Sequence, residues 1–153
     1  MSSPDSRRPI EVLLGEDNPG DVWLMREALR EGRLRLNLSV AVDGEDTLAF
    51  LRRQGKHAGV PRPELILLDL NMPKKGGREV LAEIRKDPEL GCIPVLILTS
   101  SEAEEDIVQS YKLHANAYVT KPSSAEAFGA LIKAIEEFWT RVAKLPPHCR
   151  ARS

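Results

Sequence analysis

Leu65-Ile66-Leu67-Leu68-Asp69-Leu70-Asn71-Met72-Pro73 decides the reading of this chain. Four apolar residues run into one acidic residue, and Met72-Pro73 with Gly76 and Gly77 then turns the chain into a helical pattern. A short, continuously apolar run suits a strand buried on both faces, as in a parallel sheet. Asp69 then stands at the carboxyl end of a central strand, where open α/β sheets form their ligand and reaction sites. It is the first candidate functional residue.

Outward from this stretch, strands are expected at 10–15, 36–41, 65–69, 93–98 and 117–119. Helical patterns lie between them. Asn18-Pro19 starts the first, a cap followed by a first-turn proline, and Gly32 stops it. Asp43-Gly44 opens a second helix over 45–54, packed through Leu48 and Leu51. The polar loop 52–64 follows, with two Gly and two Pro in its 55–64 part. The third helix, 77–86, turns Val80, Leu81 and Ile84 inward, and a charged fourth, 102–113, carries Ile107, Val108 and Tyr111. Ser123 and Glu126 form an S-x-x-E capping pair before a last helix whose apolar stripe runs from Phe128 to Val142. Strictly alternating β and α units predict an α/β fold with a doubly wound five-stranded parallel sheet. Right-handed crossovers leave few topologies, of which the flavodoxin-like order 2-1-3-4-5 suits the pattern best.

The 153 residues fit one domain, and at that length a core forms without staples. Residues 1–9 read as a disordered tail, 10–145 as the domain and 146–153 as a short C-terminal tail. Lys plus Arg is 22 against 23 Asp plus Glu, a net charge of -1, so no basic excess points to nucleic acid. The two cysteines, Cys92 and Cys149, make no disulfide framework and suggest a reducing compartment. The amino terminus lacks an apolar signal core, and no apolar run approaches membrane-spanning length. A cytoplasmic protein is expected.

In such a sheet one edge collects Glu16 and Asp17 after strand one, Asp69 after strand three, Thr99 after strand four and Lys121 after strand five. Converging carboxylates repel unless a cation intervenes, and a hard divalent ion such as Mg²⁺ suits oxygen ligands. Asp69 could then act as a nucleophile toward phosphorus, with Thr99 and Lys121 on the phosphoryl oxygens. Each residue alone has a plainer role: Asp69 or Thr99 as a helix cap, Lys121-Pro122 as a turn. A flavodoxin shares the fold, but Glu16-Asp17 would repel phosphate where its phosphate loop belongs. A phosphatase of the haloacid dehalogenase class needs a second Asp where Asn71 stands, and a receiver-like module that only binds partners needs no Asp69, Thr99 and Lys121.

Taken together, the set resembles the receiver domain of two-component response regulators, over about Ile10 to Trp139. Glu16-Asp17 stands at the family's acidic pair, and Asp69 to Pro73 with Gly77 matches the phospho-acceptor motif D-x-x-M-P-x-x-x-G. Thr99 occupies the switch Thr/Ser position, Tyr118 the switch aromatic, and Lys121-Pro122 the Lys-Pro pair, usually joined by a cis peptide. The loop 52–64 is longer than in the chemotaxis regulator. The stretches 111–118 and 138–146 look like small stand-alone regulators of phytochrome-type histidine kinases. The resemblance implies Mg²⁺ on Asp17, Asp69 and the Asn71 carbonyl, with Glu16 acting through water. It implies phosphoryl transfer from a histidine kinase to Asp69 and a signalling protein rather than an ordinary enzyme. Output would be protein contact, since no effector domain is expected after Trp139. A homodimer is expected through the fourth helix, fifth strand and fifth helix, with Phe138, Trp139 and Val142 at its centre.

Overall fold

The computed structural model describes residues 9–147. Five parallel strands form one sheet: β1 (Ile10–Gly15), β2 (Leu36–Ala41), β3 (Leu65–Leu68), β4 (Val95–Thr99) and β5 (Ala117–Thr120), in the order β2-β1-β3-β4-β5. The helices between them are α1 (Pro19–Gly32), α2 (Gly44–Leu51), α3 (Gly77–Lys86), α4 (Glu104–Lys112) and α5 (Ala125–Glu137). This is the expected doubly wound, flavodoxin-like topology. The outermost residues of the two expected tails, 1–8 and 148–153, lie outside the described residues.

Both faces of the sheet are covered, and the strands alternate between two cores. Leu13, Ile66, Leu68, Val95 and Ile97 pack with α2 and α3 side chains, among them Leu51, Val80, Leu81 and Ile84. Val12, Leu14, Leu65, Leu67, Leu96 and Leu98 pack with Met25, Phe128, Ile132 and Ile135 of α1 and α5. All of β3 is fully buried, which is why its sequence does not alternate. Burial on this scale stabilises the fold by about 1.5–3 kcal/mol per Leu or Ile side chain.

Several element boundaries differ from expectation. β3 stops at Leu68, so Asp69 is the first residue beyond the sheet, although its N–H still donates to Gly15 O at 3.0 Å. β4 runs from Val95 to Thr99 because Pro94 has no N–H to pair. Asn18 caps α1 as expected, its side chain accepting from the Gly20 and Asp21 N–H groups. The left-handed residue at its other end is Arg33, φ 52°, not Gly32. α2 closes at Leu51 and passes into a 3-10 turn, Gly55–His57. The cap of α5 is Ser124, which accepts from Ala127 N–H, rather than Ser123. No cis peptide occurs among the described residues, so Lys121-Pro122 is trans.

Two findings concern the output-facing elements. α4 buries Ser110 and leaves Val108 and Tyr111 exposed. The last helix does not continue as α: Phe138–Val142 forms a π-helical turn. Its wider winding shifts the stripe, so Trp139 packs against the core while Phe138 and Val142 face solvent. Cys92 is disulfide-bonded, contrary to the expectation of reduced thiols; Cys149 lies outside the described residues.

Candidate phosphoryl-transfer site

The carboxyl edge of the sheet brings the expected residues together. Glu16 and Asp17 follow β1, Asp69 follows β3, Thr99 ends β4, and Lys121 follows β5. One oxygen from each of Glu16, Asp17 and Asp69 lies within 4.8 Å of the others. Glu16 and Asp69 are buried, at 2% and 6% exposure, while Asp17 is exposed. Three hard oxygen donors gathered from two strand ends suit a divalent cation.

Local folding explains the positions. Asp69 Oδ1 accepts from Asn71 N–H at 3.2 Å, which fixes the carboxylate against the turn that follows it. Gly77 N–H donates to Leu70 O at 2.9 Å, so the first turn of α3 lies against the Asp69-Leu70 backbone. Only glycine permits this: a Cβ at residue 77 would sit 2.4 Å from Asp69 O and 2.7 Å from Leu70 Cα. The glycine of the D-x-x-M-P-x-x-x-G spacing is thus a requirement of close backbone approach.

Lys121 reaches into the carboxylates. Its Nζ lies 2.6 Å from Glu16 Oε1, 2.7 Å from Asp21 Oδ2 and 2.9 Å from Asp69 Oδ2. Glu16 Oε2 also accepts from Asn18 N–H at 3.2 Å. Burial pushes the Glu16 carboxyl up to about 7, against the opposing hydrogen bond from Lys121 and with help from the Asp69 charge. Burial would raise Asp69 too, but hydrogen bonds from Lys121, the Thr99 hydroxyl and Asn71 N–H outweigh it and hold Asp69 below the usual carboxylate range. For Lys121, burial would lower the value, yet the carboxylates of Asp21, Glu16 and Asp69 more than compensate and raise it. The site therefore holds an ionised Asp69 beside a permanent cation at neutral pH. That pairing suits a nucleophile waiting for an electrophilic phosphorus.

Tyr118 sits apart from the carboxylates but is linked to them. Its hydroxyl donates to Ser101 O at 3.0 Å, in the loop that follows Thr99. Ser101 Oγ donates to Asp106 Oδ2 at 2.6 Å, and Asp106 pairs with Arg78 at 3.0 Å. Hydrogen bonds and one ion pair therefore join the Thr99 loop to β5, α4 and α3. Asn71 is exposed and meets the site through its backbone.

Asp21 was not anticipated from sequence. The only signal was its place three residues after the Asn18 cap, on the first turn of the helix leaving β1.

The family description "Response regulator receiver domain" matches residues 12–135. The chain belongs to this family. Response regulator Rcp1 of Synechocystis sp. is 44% identical over 144 residues, covering 94% of this chain and 98% of that protein. Among solved structures, the phosphorylated cyanobacterial phytochrome response regulator RcpA superposes with a TM-score of 0.85 at 46% identity, over 90% of this chain and 99% of that one. The Mn²⁺-bound form of Rcp1 gives 0.83 at 45% identity, over 90% and 99%. As a receiver domain, the chain is a two-component signalling module. Among the described residues no helix is long and apolar enough to cross a membrane.

Proposed function

We propose that Asp69 is the phospho-acceptor of this receiver domain, taking its phosphoryl group from a histidine kinase with Mg²⁺ as cofactor. The observation that carries this reading is the buried, ionised Asp69 carboxylate 2.9 Å from the Lys121 ammonium. An Asp69 oxygen attacks phosphorus, the P–N bond of a phosphohistidine breaks, and the imidazole nitrogen recovers a proton. Lys121 and the Thr99 hydroxyl receive the phosphoryl oxygens, and later attack by water returns inorganic phosphate and free Asp69. Asp17, Asp69 and the Asn71 carbonyl would hold Mg²⁺, with Glu16 contributing through water. Bound there, the ion neutralises charge on phosphoryl oxygens. Movement of Thr99 toward the phosphate draws on the loop that Tyr118 grips through Ser101, so Tyr118 changes rotamer in response.

The assignment of metal ligands has a direct test. Mg²⁺ titration followed by calorimetry should show Asp17→Ala weakened by about tenfold or more, since one of a small set of carboxylate ligands is gone. Equal affinity in the variant would refute the assignment.

Relatives described as phytochrome response regulators support a phytochrome-type histidine kinase as partner. Such a kinase partner supports a cytoplasmic location. The receiver unit spans 10–145. Output proceeds by protein contact, with a homodimer through α4, β5 and α5. Exposed Val108 and Tyr111 on α4, and Phe138 and Val142 on the π-helical turn, supply the apolar surface such a contact needs. Because Trp139 packs inward, Val142, at 72% exposure, is the better probe. Light scattering over a dilution series should find the wild type dimeric and Val142→Arg shifted toward monomer. A wild type monomeric at all concentrations, with and without beryllofluoride, would end the dimer proposal.

A further inference from the structure

The Lys121 ammonium has three hydrogens, and three carboxylates take them: Glu16 at 2.6 Å, Asp21 at 2.7 Å and Asp69 at 2.9 Å. Glu16 and Asp69 have roles in the site proposed above; Asp21 has none. It stands in the first turn of α1, its backbone N–H bonded to the Asn18 side chain at 3.1 Å. This turn is therefore anchored by the cap, and it carries the Asp21 carboxylate to Lys121 across 100 residues of sequence.

The three carboxylates differ in their access to water. The Asp21 side chain is 26% exposed, against 2% for Glu16 and 8% for Asp69. A phosphoryl group on Asp69 would offer Lys121 new anionic oxygens while every donor hydrogen of the ammonium is already engaged. On phosphorylation the Asp69 carboxylate becomes an acyl phosphate, and the ammonium hydrogen it held passes to a phosphoryl oxygen. For Lys121 to serve a second phosphoryl oxygen, Glu16 or Asp21 has to let go. Releasing Glu16 would leave a deeply buried carboxyl oxygen without its Lys121 hydrogen bond and away from solvent, whereas a released Asp21 is hydrated at once.

We propose that Asp21 is a positioning residue for Lys121, holding the ammonium in the resting state and yielding it when the phosphoryl group arrives. This inference rests on the reading of Asp69 as phospho-acceptor. Asp21 touches no reacting atom; it acts through Lys121. Two consequences follow. The resting contact biases the protein toward its unphosphorylated form, because it is lost in the other form. The Asp21 charge also opposes entry of an anionic phosphodonor.

The test uses the ¹⁵N-labelled full chain and follows the Lys121 ammonium resonance in wild type and Asp21→Asn, with and without Mg²⁺ and beryllofluoride. The variant is isosteric and keeps the backbone N–H of the capped turn; circular dichroism checks its fold, and Asp21→Ser serves as a second variant. In the resting state the resonance should shift, and exchange faster with water, when Asp21 is replaced. In the beryllofluoride-loaded state wild type and variant should coincide. Labelling by acetyl phosphate should rise by about fivefold to tenfold, the effect of removing one unit charge beside a phosphoryl dianion in a partly hydrated site. Identical resting resonances overturn the inference, as does a difference that persists unchanged in the loaded state, or a labelling rate that fails to rise. A wild type that takes up no beryllofluoride overturns the phospho-acceptor reading and this inference with it, whereas a persistent difference overturns the inference alone.

Discussion

Asp69→Asn is expected to abolish phosphoryl uptake while leaving the fold intact. The amide is nearly the same shape as the carboxylate, so the packing at the end of β3 changes little. Its oxygen can still accept from Lys121 or from Asn71 N–H, two of the contacts that hold Asp69, at 2.9 and 3.2 Å. It cannot serve both contacts as an anion does, since the amide nitrogen is a donor. It also lacks the anionic oxygen that attacks phosphorus. Labelling with acetyl phosphate and Mg²⁺, read by intact mass, should therefore fall by on the order of a hundredfold or more, the scale on which loss of a nucleophile is felt. Thermal stability should fall modestly, because the Lys121, Thr99 and Asn71 contacts favour the ionised group on balance, a loss offset in part by relieved repulsion from Glu16 and Asp17. Unchanged stoichiometry in Asp69→Asn would move the acceptor elsewhere.

Gly77→Ala is expected to be the most damaging single-methyl change near the site. The added Cβ would meet Asp69 O at 2.4 Å and Leu70 Cα at 2.7 Å, both backbone atoms that no rotamer change can clear. Either α3 moves away, breaking the Gly77 N–H to Leu70 O bond, or Asp69 is displaced from Lys121. Overpacking against fixed backbone costs about 3 kcal/mol or more. At this chain length that corresponds to a melting temperature lower by about 10 °C. Phosphoryl uptake by the folded fraction should drop as well. Gly129→Ala is the control: nothing lies within 4 Å of its Cβ, and α5 should gain about 0.5–1 kcal/mol from the better helix former. Equal melting temperatures for wild type and Gly77→Ala would show that the crowding is not real.

Much of this was legible in sequence because the signals are local. The β3 run is uniformly apolar because both of its faces are buried, and that burial follows from helices on each side of the sheet. Once the strands alternate with helices, parallel pairing sends every strand's carboxyl end to one edge. The gathering of Glu16, Asp17, Asp69, Thr99 and Lys121 then follows from chain order alone. Asn18 capping α1 is likewise a nearest-neighbour effect.

What the tertiary structure decided depends on distances between segments far apart in the chain. Arg85 reads as an ordinary basic residue in the last turn of α3. Its guanidinium instead donates to His114 O at 2.9 Å, Gly91 O at 3.0 Å, Ile93 O at 2.8 Å and Asn116 Oδ1 at 2.9 Å, pinning two loops. The π-helical turn that rolls Trp139 inward and Val142 outward breaks a helical stripe that periodicity extends unbroken. The Gly77 requirement appears only when α3 closes on the Asp69 backbone. Asp21 meets Lys121 only after the strands have been ordered and the first turn of α1 and the loop after β5 are aimed at one point. Sequence by itself determined which strand-end residues reach the reactive edge, because strand direction is set by pattern. Which of them touch was settled by packing, because a hydrogen bond demands agreement within a few tenths of an ångström that no one-dimensional period encodes.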